Sequence, residues 1–231
     1  MREIVFDTET TGFKPEDGHR IVEIGAVELI NMLPTGREFH VYVNPEREVP
    51  QPAFQVHGLN QAFLSKHPVF RVHAQAMLEF FGNSPLIAHN ASFDLRFLNY
   101  ELKILGLPEL SNPIIDTLSI ARTKFPGSPA SLDALTKRFN ISGYSRDKHG
   151  ALLDSQILAD VYLQLKGGRQ SSFLNTEKQH EDHTATINTL QPQFAPRRDA
   201  RPFPASKQEE RDHAEMCAQI EATGTPPVWH N

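Results

Sequence analysis

The sequence is poor in cysteine, in long apolar runs and in net positive charge, and each shortage excludes a class of protein. One cysteine, Cys217, among 231 residues excludes an internal disulfide framework and a cysteine zinc site. No apolar run approaches the ~18–20 residues that a membrane-spanning helix requires. The amino terminus also lacks the basic and then apolar segments of a secretion signal. These absences predict a cytoplasmic protein without a membrane segment.

The charge balance is mildly acidic, with a formal net charge of −5 at pH 7. Such a balance argues against broad electrostatic capture of nucleic acid. It leaves open an enzyme that reaches phosphate groups through bound metal ions. The apolar content of 39% and the length of 231 residues suit one domain with a core and a smaller appendage.

Two acidic side chains end the first strand-like segment, FDTETTG at 6–12. Because side chains alternate between the two faces of a strand, Asp7 and Glu9 lie on one side, roughly 7 Å apart. Neighbouring carboxylates repel each other, and a divalent cation between them removes that repulsion, since Mg²⁺ prefers hard oxygen ligands. Solvated acids at a polar strand end explain the pair equally well.

Strand-like and helix-like segments alternate up to about residue 166. Strands are predicted at 4–8, 21–30, 38–43, 86–88 and 114–115, with a turn-forming stretch at 31–36. Helices are predicted at 69–81, 91–105, 117–123, 131–139 and 151–166. This order predicts a three-layer α/β domain with a mixed sheet, whose first three strands form an antiparallel meander.

The composition changes after Gly167. Residues 168–205 are rich in polar residues and proline and lack apolar periodicity, which predicts a flexible linker. The sequence SKQE at 206–209 has the Ser-x-x-Glu form of a helix capping box and predicts a helix to about residue 222. We therefore predict a domain at 1–167, a linker at 168–205 and a separate C-terminal segment at 206–231.

Two further carboxylates occupy predicted helices. Asp154 falls within the apolar stripe of Ile157, Leu158 and Val161, where an acid costs several kcal/mol unless it is paired or bound to a metal. A structural salt bridge is the alternative explanation. Asp94 lies in the first turn of its helix, where the helix dipole alone favours an acid by ~0.5 kcal/mol.

A loop histidine, His149, lies five residues before Asp154. A neutral imidazole next to metal-binding carboxylates can accept a proton from water near pH 7. With 11 histidines in the chain, a loop histidine near an acid also arises by chance. No His-Glu-x-x-His or Cys-x-x-Cys spacing supports a zinc site instead.

Three sequence blocks occur in order, FDTETTG at 6–12, HNASFDLRFLN at 89–99 and HGALLD at 149–154. Together they resemble the three-motif pattern of the DEDD exonuclease superfamily, in its histidine-bearing branch. The tyrosine-bearing branch has a tyrosine four residues before the last aspartate, where this chain has Gly150. VHGL at 56–59 and SLDAL at 131–135 resemble two further family segments. The resemblance covers roughly residues 1–166 and implies a ribonuclease H-like fold.

The resemblance implies 3′–5′ hydrolysis of single-stranded DNA ends with two divalent metal ions, Mg²⁺ or Mn²⁺. By analogy, Asp7 bridges the metal ions, and Glu9 and Asp154 complete the first metal site. Asp94 holds the second metal ion through water, and His149 is the general base for the attacking water. Residues expected near the terminal nucleotide are Asp7, Thr8, Glu9, Thr10, Thr11, Gly12, His57 and Asp154.

The tail adds a resemblance to the proofreading epsilon subunits of bacterial DNA polymerase III. Gln170, Phe173 and Leu174 of QSSFL resemble peptides that dock on sliding clamps, although a random linker pentapeptide is the alternative. Trp229, the only tryptophan, ends a segment similar to the one that binds the polymerase (alpha) subunit. The implied partners are frayed DNA 3′ ends, the alpha subunit, the sliding clamp and a small theta-like subunit.

The sequence leaves two rival functions to weigh. An RNA-trimming exoribonuclease of the same superfamily shares the site, but such enzymes usually lack a tail like 167–231. A non-catalytic bridge between polymerase and clamp is disfavoured because all five site residues are intact, namely Asp7, Glu9, Asp94, His149 and Asp154.

Overall fold

The computed structural model describes residues 1–144, 148–167 and 206–222. The strands of its sheet are β1 (Arg2–Thr10), β2 (Ile21–Ile30), β3 (Leu33–Tyr42), β4 (Leu86–Ala88) and β5 (Ile114–Asp116). The described α-helices are α1 (Gln51–His57), α2 (Gln61–Leu64), α3 (Phe70–Phe81), α4 (Ala91–Ile104), α5 (Thr117–Lys124), α6 (Leu132–Arg138), α7 (Ala151–Leu165) and α8 (Lys207–Ala222). Within these ranges, no helix has both the length and the apolar character needed to cross a bilayer.

The sheet has the strand order β3-β2-β1-β4-β5, which places β1 at its centre. Strands β1, β2 and β3 form the predicted antiparallel meander, while β4 runs parallel to β1 and β5 parallel to β4. Helices cover both faces of this mixed sheet. The predicted three-layer α/β architecture is therefore confirmed.

The turn between β2 and β3 differs from the prediction. It consists of Asn31 and Met32 alone, both with positive φ (51° and 66°), as a tight two-residue hairpin turn requires. Strand β3 therefore begins at Leu33 and not at residue 38. Pro34 and Gly36, which suggested a longer turn, are tolerated because β3 is an edge strand.

Two hydrophobic cores lie on opposite faces of the sheet. Ile4 and Phe6 of β1 share one core with Leu98 of α4. Val5 of the same strand shares the other core with Leu158 of α7. The alternation of β1 therefore directs α4 to one face and α7 to the other.

The five predicted helices are present, with each end within one residue of its expected position. The structure adds α1 and α2, which are too short to show a helical period. For α1 the sequence signal lies at the helix ends. Pro52 lies in its first turn, and Gly58 ends it with a left-handed φ of 75°.

Helix α8 belongs to a separate unit of the chain and is described by itself. The Ser206 hydroxyl accepts a hydrogen bond from Glu209 N (3.2 Å), and the Glu209 carboxylate accepts one from Ser206 N (2.7 Å). These two bonds form the predicted capping box. The predicted linker at 168–205, which contains the QSSFL peptide, and the Trp229 segment lie outside the described residues, so the proposed domain ranges stay predictions.

Helix α7 lies directly on β2 at Gly25. A methyl group at Gly25 would come within 2.1 Å of Leu152 N and 2.4 Å of Ala151 O. The buried Ser155 hydroxyl lies 2.9 Å from Gly25 O and reinforces this contact. Because Gly25 is paired with Asp7 across the sheet, the contact sets the distance between α7 and the end of β1.

We expect Gly25→Ala to lower the free energy of unfolding by about 3 kcal/mol, the upper end of the usual cost of overpacking. Denaturant unfolding of the full chain measures this loss. The control is Gly150→Ala, because Gly150 has an ordinary extended φ of −151° and a methyl group there meets nothing closer than the Glu23 carboxylate at 3.9 Å. Equal stability of the two variants would contradict the close approach of α7.

Candidate active site

The predicted acids converge at the carboxyl-terminal end of β1. Asp7 and Glu9 lie on one face of the strand, and α7 brings Asp154 to the same face. Asp94 arrives from α4, which covers the opposite face. All four carboxylates and His149 line one open cavity of about 200 Å³. The structure therefore brings together the five residues that the sequence singled out.

One side of the cavity is a compact set of three ligand groups. Atoms from Glu9, His149 and Asp154 that can bind a metal all lie within 4.8 Å of one another. His149 Nδ1 is 3.2 Å from Asp154 Oδ2. Glu9 and Asp154 are buried, whereas the His149 side chain is 45% exposed. The imidazole thus lies at the rim of the cavity, between the acids and water.

The fourth carboxylate is anchored to β1 itself. Asp94 Oδ1 accepts hydrogen bonds from Thr8 N (3.0 Å) and from the Thr8 hydroxyl (2.7 Å). Asn90, which precedes α4, adopts a left-handed φ of 70°, and its N–H donates to Asp116 Oδ1 (3.0 Å). This bend directs the first turn of α4, and Asp94 with it, toward the strand end.

Two of the acids, Asp7 and Asp94, are costly to ionise where they lie. Burial first, and then repulsion from Asp94, Glu9 and Asp154, raises the pKa of Asp7 well above its usual range. Burial likewise raises the pKa of Asp94 to about 7, although the two Thr8 hydrogen bonds oppose the shift. A cluster of oxygen ligands that repel one another fits hard divalent cations such as Mg²⁺ or Mn²⁺.

The residues expected near the terminal nucleotide are more dispersed. Thr8 lines the cavity, but among the described residues Thr10, Thr11, Gly12 and His57 do not. The Thr10 hydroxyl donates to Gly12 O (2.6 Å), and the Thr11 hydroxyl accepts from Arg20 N (3.0 Å). These hydroxyls therefore shape the loop after β1, and the nucleotide contacts stay predictions.

His57 is buried at 5% exposure in the last turn of α1. Its Nδ1 accepts a hydrogen bond from Leu59 N (3.0 Å), which leaves Nε2 to carry the proton. Burial lowers the pKa of His57, so the ring is neutral.

Sequence reasoning missed several residues near the acids, Phe93 and Leu132 of the cavity wall among them. His89 and Asn90 line the cavity, and their signal was their place at the head of the HNASFD block. Glu23 pairs with Glu9 across β1 and β2, is 3% exposed and lies 2.7 Å from His40 Nε2. An acid inside the buried run of β2 was the signal for Glu23.

Known proteins resemble this chain in sequence and in fold. The sequence model of the family described as Exonuclease matches residues 4–162. The DNA polymerase III subunit epsilon of Rickettsia felis is 51% identical over 195 residues, which cover 82% of this chain and 85% of that protein. The Salmonella typhimurium subunit epsilon is 40% identical over 238 residues, with 99% and 97% covered.

The chain belongs to the DNA polymerase III epsilon family of exonucleases. Its fold is also found in solved structures. Exonuclease X in complex with 5′ overhanging duplex DNA superposes with a TM-score of 0.57 at 28% identity, over 71% of this chain and 90% of that one. The nuclease domain of 3′hExo, a DEDDh family member bound to rAMP, gives 0.58 at 22% identity, over 72% and 92%, and supports the fold alone. This epsilon chain is therefore a 3′–5′ exonuclease, and its family depends on divalent metal ions.

The raised pKa values make the metal-free epsilon chain sensitive to pH. Unfolded aspartates lose their protons near pH ~4, whereas Asp94 in the folded protein holds its proton to about pH 7. The folded state then binds more protons between these limits, so the free energy of unfolding falls as pH rises through them.

In EDTA at pH 8 we expect Asp7→Asn to raise Tm by about 2–4 °C, the shift that 1 kcal/mol produces at this chain length. At pH 4, where Asp7 is protonated in the wild type, the gain should disappear. Thermal unfolding measures both values, and Asp17→Asn, which changes an exposed acid that does not line the cavity, is the control. A lower Tm for Asp7→Asn at pH 8 would contradict the repulsion.

Proposed function

We propose that this proofreading 3′–5′ exonuclease removes mispaired nucleotides from DNA 3′ ends through two divalent ions, Mg²⁺ or Mn²⁺, held by its four clustered aspartate and glutamate residues. The observation that carries the proposal is the meeting of those four carboxylates with His149 in one cavity. Family membership supports the activity, and the relatives are named as DNA polymerase III subunits.

The four acids would have different roles in binding the metal ions. Asp7, whose carboxyl group is repelled by Asp94, Glu9 and Asp154, would bridge the two sites. Glu9 and Asp154, on the same face of β1, would complete one site, and Asp94 from the opposite layer would hold the other. When bound, the two ions stabilise negative charge on the attacking and leaving oxygens of the phosphodiester.

His149 would accept a proton from the attacking water. Its Nδ1 faces Asp154 Oδ2 at 3.2 Å, so the carboxylate orients the ring at the rim of the cavity. Lys148 and His149 contact α1, because His149 N donates to Val56 O (3.2 Å) and Lys148 Nζ to Gln55 O (2.7 Å). These bonds hold the imidazole near the acids despite its exposure.

Selectivity for errors follows from access to this cavity. A mispaired 3′ end frays at a smaller cost than a paired one and reaches the acids as a single strand. We propose that the backbone of Thr10, Thr11 and Gly12, together with His57, contacts that terminal nucleotide. The net charge of −5 gives the chain little affinity of its own for DNA.

We propose that the tail supplies that affinity by binding other replication proteins. QSSFL at 170–174 would dock on the sliding clamp, and the segment from residue 206 to Trp229 would bind the polymerase alpha subunit. The match to the Salmonella typhimurium relative extends over 99% of this chain and therefore includes the tail. A theta-like subunit stays a further predicted partner.

We expect Asp154→Asn to abolish the release of mononucleotides from a 3′-mismatched DNA oligonucleotide, because one metal site loses a charged ligand. His149→Ala should lower kcat about 10²–10⁴-fold, the usual contribution of general-base catalysis. The Mg²⁺ concentration that gives half of the maximal rate should change little in His149→Ala. Single-turnover assays across a MgCl₂ titration measure both effects.

The control is His213→Ala, which removes a histidine of α8 and should keep the wild-type rate. Near-wild-type hydrolysis by Asp154→Asn would refute the metal assignment. Preferential degradation of an RNA oligonucleotide of the same sequence would instead favour the exoribonuclease alternative.

Changes in the tail should separate binding from catalysis. We expect removal of 206–231 to abolish co-purification with the alpha subunit while kcat on a free oligonucleotide stays unchanged.

Phe173→Ala combined with Leu174→Ala should weaken clamp binding in the same way, because these side chains would fill the clamp groove. Clamp affinity measured by surface plasmon resonance checks the second effect, with Ser171→Ala as the matched control. Unaltered binding would contradict the proposed docking.

A further inference from the structure

Asp94 differs from the other three acids in how the fold delivers it. Asp7 and Glu9 belong to β1, and Asp154 is carried by α7, which packs against the same face of the sheet. Asp94 belongs to α4, which packs in the core on the opposite face. A carboxylate from one layer must therefore be aligned with three from the other to within the tolerance of a shared metal site.

Thr8 is the residue that spans the two layers. It lies between Asp7 and Glu9 in sequence, so the alternation of the strand turns its side chain to the α4 face. Its backbone N–H and its hydroxyl both donate to Asp94 Oδ1, at 3.0 Å and 2.7 Å. Both groups lie on the rigid central strand that also carries the other two acids.

We propose that Thr8 is the positioning residue of the second metal site, fixing Asp94 through Oδ1 so that Oδ2 remains for the metal ion. The inference rests on the proposed function of Asp94 as a ligand. Two donors on one oxygen fix the position of the carboxyl group and its rotation about the Cβ–Cγ bond. Charge-assisted bonds of this kind also stabilise the ionised form that binds metal.

This role differs from the contact with the terminal nucleotide that the sequence suggested. Thr8 is 5% exposed, and its hydroxyl and N–H are both engaged by Asp94. A substrate contact would affect KM, whereas a positioning role acts on metal affinity and on kcat. The two roles therefore predict different measurements.

The test compares Thr8→Val, which keeps the shape but removes the hydroxyl, with Thr8→Ser, which keeps the hydroxyl. In the full chain we expect Thr8→Val to need at least tenfold more Mn²⁺ for half of the metal-induced rise in Tm. On a mismatched DNA oligonucleotide its kcat should fall at least tenfold with KM within twofold of wild type. Thr8→Ser should restore both quantities to within about threefold. Thr8→Ala gives a second hydroxyl-free variant if Thr8→Val does not fold.

Three outcomes would overturn the inference. One is a Thr8→Val protein with a wild-type Mn²⁺ midpoint, and another is a rise in KM at unchanged kcat, which would make Thr8 a substrate contact. The third is an equal loss in Thr8→Ser, which would show that the hydroxyl is not the cause. The variant Asp94→Ala distinguishes a failure of this inference from a failure of the proposed function. A wild-type Mn²⁺ response in Asp94→Ala would refute Asp94 as a metal ligand. A weaker Mn²⁺ response in Asp94→Ala, together with a wild-type response in Thr8→Val, would refute the role of Thr8 alone.

Discussion

Repulsion among four buried or half-buried carboxylates is the constraint on which this structure depends. Burial raises the pKa of Asp7 and of Asp94, so the folded protein without metal holds groups that favour protonation. Side chains in that situation separate unless rigid elements hold them together. The central strand, flanked on both faces by apolar cores, provides such an element. The stability of the cores thus offsets the cost of the site.

The contacts between the helices and the sheet are close and involve the backbone of the strands. Helix α7 approaches β2 without an intervening side chain at Gly25, and Ser155 bonds to the carbonyl group there. Helix α4 is bound to β1 through the backbone N–H and the hydroxyl of Thr8. Each contact includes a backbone group of the sheet, Gly25 O or Thr8 N, whose position does not depend on a side-chain rotamer. The contacts therefore transmit the geometry of the sheet to Asp154 and Asp94.

Asp154 could be found from the sequence because an acid within the apolar stripe of α7 needs a reason. Asp7, Glu9, Asp94 and His149 each have an ordinary explanation, and they were found because they fall in the three sequence blocks that resemble the exonuclease pattern. The helices could be predicted from the periodicity of their apolar side chains. Other features carry no such signal. The bond from Thr8 to Asp94 joins residues 86 positions apart, and a threonine next to two acids is also what a polar strand end contains. The two-residue hairpin turn at Asn31 and Met32 was not predicted, because Pro34 and Gly36 suggested a longer turn. An edge strand tolerates both residues.

The exposure of His149 has a consequence for repeated turnover. An imidazole that has taken up a proton must release it before the next nucleotide can be cut. Because this ring stands at the rim of the cavity and is 45% exposed, buffer molecules can reach it directly. As the proposed base, His149 would therefore need no internal chain of water or side chains to carry protons away. The solvent would restore its unprotonated form between successive cuts.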